Sequence, residues 1–333
     1  MSVVCLYGEQ PNIYLENVMR PTSAERKPTK IIFLILPKTH IMDLAGPDQV
    51  FLEAIGYNAN MSVEYCSITP RLYTSSELPF GPLKHFSKAS YSPGDFIIIP
   101  GAELSLLQSK EFRSNIDLFE WLRTAHKEGV NLCSVCSGAF VLGAAGLLNG
   151  KRCTTHWKRT GELQKWFPAA RVQENILYTV QDRIYTSAGI ASGIDMALVI
   201  VEQLQGAHFA HKVAREMVIY TRRNGDENQQ SEFMMHRNHI HSGIHAVQDH
   251  LDAHLSERAS LFDLAEIACM SARNFTRIFK KETGTTVNEY VTILRKERIR
   301  QLLSNPDLTR KQIARQCGLK SERQVNRLMN SAA

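Results

Sequence analysis

The sequence predicts an α/β domain with a mostly parallel sheet covered by helices on both faces, followed by an all-α domain holding two helix-turn-helix units. The first part rests on continuous apolar runs at Ile31–Leu36, Asp95–Gly101 and Val130–Val135, each followed by a segment of helical period. Such runs mark strands buried on both faces, and strands alternating with helices build a parallel sheet. The second part rests on hydroxyl residues followed three positions later by an acid or amide: Ser260/Asp263, Ser271/Asn274, Thr309/Gln312 and Ser321/Gln324. A cap oxygen there satisfies an orphan N–H of the first helical turn, so caps at short intervals mark short, well-punctuated helices.

Length and charge fit this division. A chain of 333 residues with 44% hydrophobic residues has material for about two domains. From Glu257 onward there are 15 Lys and Arg against 8 Asp and Glu, a net of +7 against +6 for the whole chain, which leaves the earlier residues near neutral. Positive charge concentrated on a helical domain fits polyanion binding through counterion release. The seven cysteines are odd in number and scattered, and Cys133-x-x-Cys136 has no second pair to complete a zinc site. A reduced, cytoplasmic protein is the simplest reading. No apolar run approaches the roughly twenty residues of a membrane span, so no membrane partner is expected. Met1 to Lys30 lacks the pattern of a signal peptide. The boundaries read as a polar extension over 1–29, an α/β domain over 30–223, a linker over 224–241 and a helical domain over 242–333.

In chain order, Ile31–Leu36 is a strand ended by Pro37, and Asp43 opens a helix running to about Gly56. Met61–Thr69 alternates as a strand, and a turn-rich excursion covers Pro70–Pro93. After the strand at Asp95–Gly101 comes a helix over Ser109–Glu128, then the strand at Val130–Val135 and an Ala/Gly-crowded helix over Ser137–Asn149. Arg171–Val180 and Arg183–Ser187 form a hairpin turned at Gln181–Asp182, and Ala191–Gln205 is a further helix.

The functional site of such a domain lies outside the carboxyl ends of its strands. Val135-Cys136-Ser137-Gly138 runs a strand straight into a helix with Cys136 at the turn. This is the pattern of a nucleophile elbow, which sets a side chain at a helix N-terminus where backbone N–H groups favour a thiolate or an anion. Asp43, Ser137 and His156 fall at the same edge, while Gly189 and Asp195 bracket another strand–helix turn. Asp43, Cys136, Ser137 and His156 are therefore the candidate ligand-binding residues, with no catalytic set, cofactor or metal assigned. Redox sensing through Cys136 and a cysteine-dependent hydrolase or hydratase are the rival readings.

A polar stretch, Arg222–Ser231, separates the domains and leads into a histidine-rich segment. His241/His245 and His250/His254 have the i,i+4 spacing that can hold a metal on a helix. No cysteine or acid completes the ligand set, so the segment reads as the polar face of a helix with Ile244, Val247, Leu251 and Leu255 inward. In the first helix-turn-helix unit, Cys269–Ser271 makes the turn, and the second helix turns Phe275, Ile278 and Phe279 inward. In the second unit, Cys317–Leu319 makes the turn, with Val325, Leu328 and Met329 inward beyond it. Arg273-Asn-Phe-Thr-Arg277-Ile-Phe279 lines up with Arg323-Gln-Val-Asn-Arg327-Leu-Met329. Arg273, Thr276 and Arg277 would then face one major groove and Arg323, Asn326 and Arg327 the next. The helix between the units opens at Thr286 with Glu289 and closes at Asn305–Pro306. Its roughly eighteen residues span about 27 Å, which fits two recognition helices about one DNA turn, near 34 Å, apart.

Two resemblances follow. Leu264-Ala265, Phe275-x-Arg277-x-Phe279, Arg298-x-x-Gln301-Leu302-Leu303 and Ile313-Ala314-Arg315-x-Cys317-Gly318 resemble the AraC-type DNA-binding domain. Cys269 stands where that family has glycine, and the family's phenylalanine- and glycine-containing segment is not seen after Asn330. Met42-Asp43-Leu-x-Gly-Pro, Ile98-Ile-Pro-Gly101, Cys136-Ser-Gly-Ala-Phe, Gly146-Leu-Leu-x-Gly150, Thr155-His156-Trp157 and Ser192-Gly193-Ile-Asp195 resemble the PfpI/ThiJ-like domain, a flavodoxin-like relative of class I glutamine amidotransferases. The layout is similar to that of GlxA-type regulators. The resemblance implies a homodimeric activator of catabolic genes that binds double-stranded DNA, works with RNA polymerase and responds to a small amino-acid- or amine-like effector, such as arginine, carnitine or glycine betaine.

Overall fold

The computed structural model describes residues 27–219, 222–229, 235–303 and 308–330. Most of the expected N-terminal extension, part of the linker and the expected helix end at Asn305–Pro306 lie outside the described residues. The chain divides into two compact units, with the division between Asp226 and Glu227.

The first unit is built on a seven-stranded sheet in the order β3-β2-β1-β4-β5-β9-β8. Its strands are β1 (Thr29–Ile35), β2 (Met61–Ser67), β3 (Lys84–His85), β4 (Phe96–Ile99), β5 (Asn131–Val135), β8 (Tyr178–Gln181) and β9 (Ile184–Ser187). All pairings are parallel except β8 with β9. β1 explains the three layers. Ile31, Phe33 and Ile35 pack on one side with α1 (Ile41–Gly56), α7 (Ala191–Gln205) and α8 (Ala207–Glu216). Ile32, Leu34 and Leu36 pack on the other with α4 (Ile116–Lys127), α5 (Ala139–Ala144) and α6 (Thr160–Trp166). Successive side chains of a strand point to opposite faces, so an unbroken apolar run is what a doubly covered strand requires.

Three sequence expectations are corrected. The single helix over Ser109–Glu128 is two, α3 (Lys110–Arg113) and α4, and a further short helix, α2 (Leu104–Gln108), precedes them. Ser109 caps Phe112 N and Asn115 caps Leu118 N, so each short polar side chain restarts a helix that periodicity alone would run together. The helix over Ser137–Asn149 shrinks to a 3-10 turn at Cys136–Gly138 and the six residues of α5, because Gly146 takes a left-handed φ of 74° and turns the chain away. In the hairpin, Arg171–Val172 leaves the main sheet as β7 and pairs instead with β6 (Arg152–Cys153). The turn itself falls at Asp182 and Arg183, whose φ values of 49° and 60° suit a two-residue turn of the twist a hairpin prefers.

The second unit is helical: α9 (Ser242–Ala253), α10 (Leu261–Ile267), α11 (Ala272–Thr283), α12 (Val287–Leu303), α13 (Arg310–Gln316) and α14 (Glu322–Asn330). Ile244, Val247, Leu251 and Leu255 are buried against Leu264, Phe275, Phe279, Tyr290 and Leu294. A smaller core joins Ile299, Ile313, Ala314, Cys317 and Val325. Reciprocal capping boxes form at Ser260/Asp263 and Thr309/Gln312 and, at the head of α12, between Thr286 and Glu289.

The two helix-turn-helix turns share one geometry. Met270 N donates to Ala265 O and Leu319 N to Ala314 O, the long-range bond of a Schellman ending. The left-handed residue is Cys269 (φ 55°) in one and Gly318 (φ 66°) in the other. Glycine is required at the second, where a Cβ would lie 2.6 Å from Leu255 O. Cys269 is exposed, so it pays only the intrinsic backbone cost, roughly 1–2 kcal/mol for a non-glycine residue. Cys269→Gly removes that strain but adds unfolded-state entropy of about 0.4–1 kcal/mol. The expected outcome is a net stabilisation of the helical unit by about 0.5–1 kcal/mol, read from the midpoint of its urea transition.

Candidate functional site

The carboxyl ends of β4, β5 and β9 meet the start of α1 at one point, and the meeting is unusually tight. Cys136 follows β5 with φ 54°, a left-handed conformation held by its surroundings. A Cβ on Gly189, just after β9, would stand 2.7 Å from Cys136 Cβ and 3.1 Å from its sulfur. A Cβ on Gly101, beyond β4, would stand 2.4 Å from Asp43 Oδ2 and 3.0 Å from Cys136 Cβ. Gly138 lies under the elbow, where a Cβ would meet Ile99 O at 2.2 Å. Gly101 and Gly189 therefore leave the space in which Asp43 and Cys136 meet, and Gly138 lets the elbow lie against the end of β4.

Asp43 is 1% exposed, and its Oδ1 accepts a 2.7 Å hydrogen bond from Ile190 N. That bond holds Ile190 at φ 47° with its apolar side chain half in solvent. Thr155, also buried, donates its hydroxyl to Cys136 O at 2.7 Å. Ser137 is buried with its hydroxyl engaged twice by one residue, donating to Ala102 O at 2.6 Å and accepting from Ala102 N at 2.9 Å. Its side chain braces the elbow, and its backbone N–H turns to the Cys136 sulfur. His156 accepts from Lys158 N through Nδ1 and stacks on Trp157. His40, which sequence reasoning missed, precedes α1 and accompanies His156 in the electrostatic environment of Asp43. Met42, Trp157 and Ile190, neighbours of the site residues in the chain, are exposed apolar side chains.

The electrostatics correct one expectation. A thiol at a helix N-terminus is expected to be acidic, yet burial pushes the Cys136 thiol far up, and the Asp43 charge pushes it further. The Ser137 N–H pulls the other way and is outweighed. The helix behind it offers only a 3-10 turn and six residues. Burial also raises the Asp43 carboxyl, against the bond from Ile190 N and the nearby His40. Burial, then the Lys158 charge, lowers the His156 imidazole. Burial thus raises the proton affinity of both Asp43 and Cys136, the direction opposite to that of an activated thiolate. Asp195, which the sequence placed at this edge, is drawn away into an ion pair with Arg223.

In the helical unit, α11 and α14 present the residues expected to touch DNA. Arg273, Thr276 and Arg277 are exposed, as are Arg323, Asn326 and Arg327. Arg273, Thr276, Arg277, Lys280 and Lys281 line one shallow groove. Arg277 donates to Asn274 Oδ1 at 2.9 Å, and Thr276 donates to Ala272 O at 2.8 Å. Asn326 accepts from Arg310, a basic residue of α13 that the heptapeptide comparison did not reach.

Two outcomes follow for the thiol. Iodoacetamide should label exposed Cys269 well before Cys136 at pH 7.5, and Cys136 labelling should still be rising with pH above 8, because the thiol remains protonated there. Asp43→Asn removes the carboxylate charge and should accelerate Cys136 labelling several-fold, read by peptide mass spectrometry. A Cys136 already fully reactive at pH 7 would mean an activated thiolate. For the glycines, Gly138→Ala should cost more than about 2 kcal/mol in urea unfolding, since the clash is with backbone and cannot relax by rotation.

Residues 29–203 match the model of the DJ-1/PfpI family, and residues 264–332 match a helix-turn-helix domain model. The chain is similar to the HTH-type transcriptional regulator CdhR of Pseudomonas aeruginosa, 29% identical over 204 residues, which is 61% of this chain and 60% of that protein. It is also similar to an isonitrile hydratase of Pseudomonas putida, 30% identical over 190 residues, which is 56% of this chain and 77% of the hydratase. In fold, a crystal structure of an AraC family transcriptional regulator from Pseudomonas putida superposes with a TM-score of 0.50 at 18% identity, over 57% of this chain and all of that one. Among the described residues no helix is long and apolar enough to cross a membrane. The strand–elbow–helix geometry around Cys136 and the family match over residues 29–203 make this chain a member of the DJ-1/PfpI family, joined to a helix-turn-helix domain.

Proposed function

We propose that the chain is a cytoplasmic, sequence-specific DNA-binding transcription regulator whose α/β unit senses a small metabolite. The observation that carries this reading is the joining of a DJ-1/PfpI unit to two helix-turn-helix units with matching Schellman turns and basic outer faces. Arg273, Thr276 and Arg277 would read one major groove, and Arg323, Asn326 and Arg327 the next. A homodimer acting as an activator with RNA polymerase, on genes of amino-acid or amine breakdown, is the form this reading takes. The effector would sit over Asp43, Cys136 and His156, against Met42, Trp157 and Ile190. Among the described residues no Arg or Lys forms an ion pair with Asp43, and such an acidic group suits a cationic amine, while the apolar neighbours suit its carbon frame. Ser137 would take part through its backbone N–H, since its hydroxyl is committed to Ala102.

A second reading, a cysteine-dependent hydrolase or hydratase, is favoured by the likeness to an isonitrile hydratase over most of that enzyme's length. It requires an ionised or readily ionised sulfur, and the pairing of Cys136 with a buried carboxyl counts against it.

Fluorescence anisotropy against a library of operator-like duplexes tests the DNA reading. Arginine paired bidentately with guanine is worth roughly 1–3 kcal/mol of discrimination. Arg273→Ala should therefore weaken binding about tenfold or more at particular base positions, with little change in the salt slope. A uniform loss across sequences with a slope reduced by about 1 would make Arg273 a phosphate contact. Binding of the unaltered chain that shows no sequence preference would overturn the reading.

A further inference from the structure

The chain leaving the α/β unit is tied back onto the helix that carries the candidate effector loop. Arg223 donates through Nη2 and Nε to Asp195 Oδ2 at 2.6 and 3.1 Å, and through its backbone N to Asp195 Oδ1 at 3.4 Å. Arg222 reaches Glu202 two turns further along α7. Gly225 O then accepts from Leu177 N and Tyr178 N, at 2.8 and 3.3 Å, at the edge of the sheet. Only glycine fits there, because a Cβ would stand 2.6 Å from Tyr178 O. The other end of this arrangement is the site. Asp43 holds Ile190 N; Ser192 Oγ accepts from Gly189 N at 2.8 Å and donates to Gly189 O at 2.9 Å. α7 starts directly after Ile190, and Asp195 lies in its second turn with a side chain only 5% exposed.

We propose that residues 222–226 form a strap whose hold on α7 is set by the state of the Asp43–Ile190 contact, so that α7 passes the condition of the site to the chain leading away from the unit. The physical reason is the position of Asp195. It is a buried carboxylate that holds Arg223 of the strap in an ion pair, and it stands little more than one helical turn from a strained residue pinned by Asp43. Ile190 at φ 47° is a strained conformation that the bond from Asp43 helps to hold. Releasing it lets the first turn of α7 relax, and the three-point grip on Arg223 has the narrow geometry of a charge-assisted fork. Arg223 N then loses Asp195, and the Leu177 and Tyr178 amides lose Gly225 O, together.

The proposal rests on the effector-site reading, but its test reads backbone protection and not DNA binding, so the two can fail separately. Amide hydrogen exchange would be measured on the full chain, on Asp43→Ala and on Arg223→Gln. Leu177 and Tyr178 amides report the strap directly. Arg223→Gln, a change at a partly exposed side chain, should speed their exchange at least tenfold while the amides of β1 and β4 stay protected. Asp43→Ala should speed exchange at Ile190 and, in the same preparation, at Leu177, Tyr178 and Arg223. Faster exchange confined to residues 190–192 in Asp43→Ala, with Leu177 and Tyr178 as in the unaltered chain, would overturn the proposal. So would unchanged protection of Leu177 and Tyr178 in Arg223→Gln. Should Asp43→Ala lose protection in β1 and β4 as well, Asp43→Asn, which keeps an acceptor for Ile190 N, decides: it should leave Leu177 and Tyr178 protected, and their deprotection in it would contradict the mechanism.

Discussion

Everything at the carboxyl edge depends on the seating of one carboxyl group. Asp43 stands at the start of α1, accepts from Ile190 N across the site, and presents its second oxygen towards Gly101 and Cys136. Three consequences follow from that seat. Glycine is required at the ends of β4 and β9, because a methyl group at either would occupy the space of Asp43 or Cys136. Ile190 is held in a conformation that an isoleucine avoids. The partly buried thiol of Cys136 faces a carboxyl whose charge adds to desolvation in raising its proton affinity. The first consequence concerns packing, the second strain and the third proton affinity, yet all have one origin.

The same geometry sets the position and the proton affinity of the sulfur separately. The elbow fixes where the Cys136 sulfur points; it does not fix its charge. A helix N-terminus contributes a few tenths to about 2 kcal/mol towards an anion, and here that contribution comes from a short 3-10 turn and one N–H. Desolvation of a buried thiolate and a neighbouring carboxylate both act in the opposite direction. The likeness to an isonitrile hydratase covers the scaffold, and the two acids of this site, Asp43 and Cys136, both have their proton affinity raised by burial.

Much of the architecture was legible in the sequence because its signals are local. β1 declared itself by an unbroken apolar run, α7 by its period from Ala191 to Gln205, and the helical unit by the caps at Ser260 and Thr309. The breaks inside 104–127 were hidden because Ser109 and Asn115 compete with a periodicity that continues across them. The displaced hairpin turn was hidden because Asp182-Arg183 lacks the glycine that usually marks left-handed turn residues. The site was legible in part. Cys136 and Asp43 could be placed at one sheet edge from topology, but the direction of the thiol's proton affinity depends on which residue faces it, and that is a long-range fact. Ser137 and Asp195 look alike in sequence, as polar residues within two positions of a glycine at a strand–helix turn. Only their partners, Ala102 and Arg223, distinguish a brace and an ion pair from a ligand contact.

The most direct measurement is a thermal-shift titration of the full chain against amino acids, betaines, carnitine and polyamines, with each stabilising mixture followed by NMR. The account predicts a compound that raises the melting temperature of the unaltered chain, fails to do so in Asp43→Ala, and remains chemically unchanged over hours. A compound consumed by the unaltered chain but left intact by Cys136→Ala would contradict it, and would make the α/β unit an enzyme.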